Sequence, residues 1–297
     1  MPLIAHLTDP HIGPLPRPRL HELASKRLTG YINWRRGRSA THDMRALSAI
    51  LADLEAHEPD HIAFTGDIVN IGLAAEFPVA REFMTRLGAP ERVSFVPGNH
   101  DAYVRASMLP LSRSLGPWMA SDGSVTSEFP FVRRRGGVAI VGVTSAVPTL
   151  PFMASGRIGK RQAARLMELL GALRDEGLCR VVLIHHPPYR GGASAGRGLS
   201  DAAHFEAVIR RAGAELVLHG HNHRTSVVHL RGPNGPVPVV GAPSASAIGG
   251  TRTHRAAYHL FAIAPDGTRS KIVARARGLL VDGASIGDLD AISLEAK

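Results

Sequence analysis

Arg92-Val-Ser-Phe-Val-Pro-Gly-Asn-His-Asp101 is the stretch from which the fold is read. A short apolar run with strand character stops at Pro97-Gly98, and three polar side chains follow without a gap: Asn99, His100 and Asp101. Asn offers a neutral carbonyl oxygen, His a metal ligand or a proton carrier, and Asp a ligand or a partner that orients the His. Core packing gives little reason to set these three together after a buried strand. A site at the strand's C-terminal end does.

Four further stretches repeat the pattern. Leu3–Thr8 runs into Asp9-Pro10-His11, and His61–Thr65 runs into Gly66-Asp67. Arg180–Ile184 runs into His185-His186-Pro187-Pro188, and Ala214–Leu218 into His219-Gly220-His221-Asn222-His223. Helical periodicity fills several of the intervals. Thr41 reads as an N-cap for a stripe of Met44, Leu47, Ile50, Leu51 and Leu54, and further helices are expected over 74–87, 160–176 and 201–212. Val138–Val143 reads as another strand. Beyond residue 223 the chain turns β-rich, with runs at 225–230, 237–241, 257–263 and 270–276 and turns at Pro233-Asn-Gly235 and Pro265-Asp-Gly267. Strands alternating with helices, then a β-rich end, imply α/β layers.

Composition sets the outer bounds. The chain has 297 residues, 44 % of them apolar, which suffices for a sizeable core and argues against disorder. No apolar run reaches the roughly 18 residues of a membrane-spanning helix. The N-terminus has neither a basic region nor a long apolar core, so no signal peptide is expected. Cys179 is the only cysteine, which excludes an intrachain disulfide. A cytoplasmic location follows as the expectation. Net charge is +10, from 35 Lys and Arg against 25 Asp and Glu, and only Lys26, Lys160, Lys271 and Lys297 are lysines. Such a balance fits an arginine-rich genome or an anionic partner: phosphate esters, nucleic acid or a lipid surface.

The polar groups at the five strand ends are carboxylate, imidazole and amide, with no thiolate. That set suits Mn, Fe or Zn, whereas Mg or Ca would favour an all-oxygen cage. Asp-x-His and His-x-His put alternate residues of an extended segment on one side. The donors outnumber what one tetrahedral ion takes, and two ions sharing a carboxylate would use them all. Two cations about 3.5–4 Å apart clamp a phosphate, acidify a water and stabilise an in-line displacement. Gly66, Gly98 and Gly220 each adjoin a candidate ligand, where a tight turn needs them.

In order, Asp9-x-His11, Gly66-Asp67, Gly98-Asn99-His100-Asp101, His185 of His-His-Pro-Pro and Gly220-His221-x-His223 resemble the calcineurin-like metallophosphoesterase family over residues 3–223. The resemblance implies an α/β fold, a four-layer α/β/β/α sandwich with two mixed sheets flanked by helices, and a dinuclear phosphoesterase. Asp9, His11, Asp67 and His223 would hold the first metal, with Asp67 bridging. Asn99, His185 and His221 would complete the second. Metal-bound hydroxide would attack phosphorus, Asn99 would help stabilise its oxygens, His100 would assist the leaving group and Asp101 would orient His100. His185 is preferred to His186 as ligand because the family pattern is His-x-Pro. His186 and His219 are read as neighbours of the site, and His6, His57, His61, His204 and His229 as ordinary polar residues.

The His-His-Pro-Pro and Gly-His-Asn-His forms resemble the branch that cleaves cyclic nucleotides and small phosphodiesters. A basic insertion at 14–40 carries Arg17, Arg19, Lys26, Arg27, Arg35, Arg36 and Arg38 among Leu20, Leu23, Leu28, Tyr31, Ile32 and Trp34. It reads as surface, as a cap over the site, or as a membrane-surface contact of 17–38 serving a lipid-linked pyrophosphate of the UDP-diacylglucosamine type. Nucleic acid is a less favoured substrate, supported by charge alone. A catalytically silent metal-binding scaffold is the rival outside enzymes, weakened because all the ligand positions are filled. Residues 102–130 show no clear period, and together with 145–160 they read as a cap region or a dimer contact. Arg133-Arg134-Arg135 reads as a solvated charge run. The domain is expected over 1–277 with a weakly ordered tail at 278–297, and the oligomeric state is left open.

Overall fold

The structure, a computed structural model, describes residues 1–251, 253–264 and 270–296. The first sheet has the order β12-β11-β10-β1-β2-β3. It is built from β1 (Leu3–Leu7), β2 (His61–Phe64), β3 (Val93–Phe95), β10 (Ala257–Ala264), β11 (Lys271–Leu279) and β12 (Ile286–Asp288). The second has the order β4-β5-β6-β7-β9-β8. Its strands are β4 (Phe131–Arg135), β5 (Val138–Gly142), β6 (Cys179–Leu183), β7 (Leu216–His219), β8 (Ser226–Gly232) and β9 (Gly235–Gly241). Both sheets are mixed. β1, β2 and β3 run parallel, as do β5, β6, β7 and β9, while β10 and β4 pair antiparallel.

The parallel strands are short and apolar on both sides because both sides are covered. In β5, Val138 and Ile140 enter the core between the sheets, while Ala139 and Val141 face the helices outside. Helices α4 (Met44–Ala56) and α5 (Glu76–Leu87) pack Leu47, Ile50, Leu54, Phe77 and Met84 against the first sheet. Helices α7 (Gly159–Asp175) and α8 (Ala202–Ala212) pack Leu166, Leu170, Leu173, Phe205 and Ile209 against the second. The result is the α/β/β/α sandwich. The N-cap of α4 is Asp43 rather than Thr41, because the Asp43 carboxylate accepts the Arg45 N–H at 2.7 Å.

The insertion folds as two short helices, α1 (Leu20–Leu23) and α2 (Arg27–Asn33), an irregular turn Trp34–Arg38 broken at Gly37, and a single turn α3 (Ser39–Thr41). It packs Tyr31 and Trp34 against Leu15, Ile71, Leu73 and Tyr103. Arg27 is buried beneath it and donates to the carbonyls of Ile71 and Gly72 and to Ser107 Oγ.

Three expectations change. Most of the 102–130 region packs into the core, and Tyr103 is its residue at the cavity over the donors. The region forms a turn at Arg105–Ser107, helix α6 (Met108–Leu115) and a turn at Gly116–Met119, and it buries Leu111, Leu115, Trp118 and Met119 in the main core. The chain beyond 277 continues the fold: β11 extends to Leu279, β12 pairs with it, and Ile292 is buried beside Ala274. Arg133 is not solvated. It is 3 % exposed and donates to the carbonyls of Ala120, Val93 and Pro117 at 2.8–2.9 Å. Its neighbours Arg134 and Arg135 instead pair at the surface with Glu176 and Asp122. Arg133→Ala should therefore cost about 3 kcal/mol in urea unfolding, against about 0.5 kcal/mol or less for Arg134→Ala. Equal effects would contradict this placement. The expected turn Pro265-Asp-Gly267 lies outside the described residues.

Candidate metal centre

All the sequence-selected residues leave the C-terminal ends of parallel strands. Asp9 and His11 follow β1, Asp67 follows β2, Asn99, His100 and Asp101 follow β3, His185 follows β6, and His221 and His223 follow β7. Backbone bonds lace these exits together: Asp9 N–H to Gly66 O at 2.9 Å, His11 N–H to Asp67 O at 3.2 Å, and Gly220 N–H to His185 O at 3.1 Å.

The side-chain donors gather in two sets. In the first, His11 Nε2 and His223 Nε2 stand 3.3 Å apart. Asp9 Oδ1 lies 3.2 Å from His223 Nε2, and Asp67 Oδ2 lies 4.0 Å from His11 Nε2. In the second, Asn99 Oδ1 lies 2.9 Å from His221 Nδ1 and 3.2 Å from His185 Nε2. Those two imidazole nitrogens are 3.3 Å apart. Asp67 Oδ2 is 3.4 Å from His185 Nε2, so one carboxylate oxygen faces both sets.

The far nitrogens fix which lone pairs point inward. His11 Nδ1 donates to Val69 O at 3.2 Å and His185 Nδ1 to Thr65 O at 2.6 Å, which leaves Nε2 of each free to ligate. Burial holds His11 and His221 well below the usual imidazole range, in the neutral ligating form. For His185 burial acts downward too, but the charge and hydrogen bond of Asp67 lift it to about 9. Asp9 Oδ1 is buried with no hydrogen bond of its own. Lone pairs converging at such separations repel unless a cation or proton lies among them. Ligand atoms lie within 4.8 Å of one another in two all-imidazole groupings, His11, His42 and His223, and His185, His186 and His221, and in one mixed grouping, Asp9, Asp67 and His185. The two donor sets, Asp9, His11, Asp67 and His223 on one side and Asp67, Asn99, His185 and His221 on the other, have the chemistry to hold metal ions.

The backbone is bent to present them. Asp9, His11, Asp67, His221 and His223 all have positive φ, from 42° to 68°. That conformation is uncommon away from glycine, and it concentrates where geometry matters. Gly98 and Gly220 complete the cradle, since a Cβ at Gly98 would strike Asp67 Oδ1 and one at Gly220 would strike Thr8 Oγ1 and Asp9 Oδ2.

Asp101 does not touch His100. It is fully buried and accepts four backbone N–H groups: Asp67 at 2.8 Å, Ile68 at 3.0 Å, Val69 at 3.2 Å and Gly98 at 2.7 Å. It ties the two loops that carry Asp67 and Asn99. His100 is oriented instead by Asn70 O, which its Nδ1–H reaches, and its ring stacks on Tyr103 at 5.4 Å. Since a carbonyl only accepts, His100 Nε2 is left as an acceptor, and Arg38 Nη1 donates to it at 2.8 Å. His186 has both nitrogens engaged, by Ser145 Oγ at 2.8 Å and Ala154 O at 3.0 Å. His219 is buried behind the site with its Nδ1 on Gly220 O.

Two residues reach the site that the strand-end pattern does not mark: His42, not singled out from the sequence, and Arg38, named there only within the basic insertion. His42 packs its ring 4.7 Å from His11, held by Ser246 Oγ at 2.7 Å. Arg38 reaches in from the insertion, with Nη2 3.4 Å from His11 Nε2. Neither follows a strand, so only an Arg at the end of the basic stretch and a His just past it mark them in the sequence. Four of the donors, Asp67, Asn99, His221 and His223, line the floor of a cavity of about 590 Å³. Its walls include Lys26, Asn33 and Arg38 of the insertion, Tyr103, Phe152 and Met153, and Arg197.

Fold and donors together define a class. The chain belongs to the calcineurin-like phosphoesterase family, metal-dependent hydrolases of phosphoric esters, with the family's sequence model matching residues 2–225. Among individual relatives, a glycerophosphodiester phosphodiesterase, GpdQ, of Enterobacter lignolyticus is 25 % identical over 240 residues, covering 77 % of this chain and 73 % of its own. A probable cyclic nucleotide phosphodiesterase of Synechococcus sp. is 26 % identical over 183 residues, covering 61 % of this chain and 64 % of its own. In structure, the chain resembles a dimetal phosphatase from Danio rerio, with TM-score 0.62, 12 % identity and coverage of 98 % and 99 % of the two chains. That likeness concerns the fold.

Proposed function

We propose that this chain is a dinuclear phosphodiesterase, with cyclic nucleotides or other small phosphodiesters as substrates. The observation that carries the reading is the Asp67 carboxylate facing both donor sets, 4.0 Å from His11 Nε2 and 3.4 Å from His185 Nε2. Asp9, His11, Asp67 and His223 would hold one ion, and Asp67, Asn99, His185 and His221 the other. Mn or Fe suits these mixed nitrogen and oxygen donors best, with Zn as a third choice. When bound, the two ions supply Lewis acidity toward the phosphate and an acidified water. The chain's own contributions are placement and charge: His100, whose Nε2 accepts from Arg38 here, would assist the leaving oxygen once Arg38 turns to the substrate and that nitrogen takes up a proton, and Asn99 would help hold the phosphoryl oxygens. Both relatives named above are described as phosphodiesterases, which favours a diester over a monoester. The cytoplasmic location expected from the sequence belongs to this proposal.

A second reading is a lipid-linked pyrophosphate met at a membrane surface through 17–38. One observation favours it: Arg27 of α2 and its N-cap Lys26 are buried while Leu28 and Ile32, four residues apart on one face of the helix, are 47 % and 39 % exposed. No described helix is long and apolar enough to cross a membrane.

Protein loaded with Mn²⁺ should bind two ions per chain. It should turn over an aryl phosphodiester and cyclic AMP faster than an aryl phosphomonoester or single-stranded DNA. UDP-diacylglucosamine in detergent as the best substrate would move the assignment to the second reading. Two bound ions with no turnover of any ester would favour the scaffold. His100→Gln should keep both ions and lower kcat by about 10²-fold, most for esters with poor leaving groups. Equal loss for good and poor leaving groups would count against its role.

A further inference from the structure

We propose that Lys26, Arg38 and Arg197 form a second anion-binding subsite beside the metal centre, and that the substrate carries a second anionic group, a phosphomonoester or pyrophosphate, outside the scissile diester. The proposal rests on the diesterase reading and names its substrate class.

The three cations share the cavity above the candidate metal ligands, and the only carboxylate lining that cavity among the described residues is Asp67 on its floor. Asp67 is committed to the two donor sets. The hydrogen bonds of the inner two cations go to neutral groups alone, and the carboxylate charge that reaches them is that of the candidate metal ligands Asp67 and, for Arg38, Asp9. Lys26 is 8 % exposed and donates to Thr149 Oγ1 at 2.5 Å and Met153 O at 2.7 Å, with its ammonium 4.6 Å above the Tyr103 ring. Arg38 donates to His100 Nε2 and approaches His11 Nε2, both neutral acceptors. Arg197 stands at the exposed rim, close enough to Arg38 for the two charges to interact.

The buried arginines of this chain behave differently. Arg180 is paired with Glu215, while Arg27 and Arg133 spend their protons on carbonyls that they hold in the core. Lys26 and Arg38 instead open on a cavity. A cation removed from water without a counter-ion is costly, and burial brings the Lys26 ammonium down to about 8. An arriving anion reverses that cost.

Charge arithmetic then selects the ligand. Among the seven candidate ligands only Asp9 and Asp67 are carboxylates, so two divalent ions would already exceed their charge. A diester phosphate brings a single negative charge, which the metal centre absorbs. Lys26, Arg38 and Arg197 remain unmatched, and a terminal phosphate, with about −1.5 to −2 at neutral pH, fits them. Guanidinium groups bind such phosphate oxygens in pairs, and an ammonium adds a point charge.

A matched pair of esters with one leaving group tests the idea: p-nitrophenyl thymidine 5′-phosphate and the same ester bearing a 3′-phosphate. In the Mn-loaded enzyme the 3′-phosphorylated ester should show about tenfold higher kcat/KM, the scale of one charge-assisted contact. That ratio should fall toward one in Lys26→Gln, in Arg38→Gln and in the exposed-site variant Arg197→Gln, whose folding is not at stake. Separately, inorganic tripolyphosphate titrated calorimetrically into the full chain without added metal should bind the parent and at least about tenfold more weakly the variants. A ratio near one in the parent, or unchanged ratio and tripolyphosphate affinity in all three variants, overturns the subsite. Failure to cleave either ester would remove the diesterase reading, while the tripolyphosphate titration still judges the subsite. Vesicles of phosphatidic acid in phosphatidylcholine identify the source of the anion: displacement of tripolyphosphate assigns it to a lipid headgroup, retention to a soluble substrate, and both support the subsite.

Discussion

Replacement of Asp67 by Asn is expected to reduce bound metal from two ions per chain to none at micromolar free Mn²⁺, and to lower kcat/KM by about 10³-fold or more. Loss of a group one shell further out already costs roughly 10–100-fold in metal affinity or activity. Asp67 matters more because its Oδ2 faces His11 on one side and His185 on the other, while its Oδ1 accepts the His100 N–H at 2.7 Å. An Asn keeps the shape but offers one oxygen and one NH2. Either the His100 N–H or the shared position then meets a donor instead of an acceptor. The centre also loses one of its two carboxylate charges. Metal analysis after gel filtration and turnover of an aryl diester read both effects, and an unchanged circular dichroism spectrum separates them from unfolding. Two ions retained in an Asp67→Asn protein would remove this residue from the bridging position.

Asp101→Ala should be the most destabilising single change near the site, costing about 4 kcal/mol or more in urea unfolding. The carboxylate is buried and satisfies four backbone donors from two loops. Each buried N–H left without a partner costs about 1–3 kcal/mol, with the sum reduced by relaxation and by water entering the gap. Against a total stability of about 5–15 kcal/mol this is a large fraction. Burial, then the charge of Asp67, pushes the Asp101 carboxyl up to about 7, against the pull of those N–H groups. Asp101→Asn keeps one acceptor oxygen and should lie between parent and Ala variant. A loss under about 1 kcal/mol would mean the loops hold their shape without it. Metal affinity should fall in parallel, since the same bonds set the backbone of Asp67 and Gly98.

Both changes concern residues visible in the sequence, and the reason is local. A parallel strand covered on both faces reads as a continuous apolar run, so a polar group at its exit stands out. Asp9, Asp67, Asn99, His185 and His221 all emerge this way. The role of Asp101 was not legible in the same manner, because its partners at 67–69 are more than thirty residues away in the chain. Arg38 arrives on an insertion, with His42 just beyond it, whose docking depends on Gly30 fitting against Tyr103. Nothing in their spacing announces a site. Arg133 looks like its neighbours, and only the pleat turns it inward while Arg134 points out. Helix α6 escaped notice because its eight residues hold Pro110 in the first turn and bury only Leu111 and Leu115, too short a stripe for periodicity to register. The pairing of β12 with β11 spans only Ile286–Asp288, too few residues for a pattern.

Each donor set draws on both sheets. His223, from the second sheet, completes a set begun by Asp9 and His11 of the first. His185 and His221 meet Asn99 and Asp67 from across the sandwich. Neither set exists while the two halves are apart, so ion loading is a latch on the sandwich as well as equipment for chemistry. Chelation would then loosen the whole seam between the sheets, and a chain starved of metal would lose its resistance to proteases along with its activity.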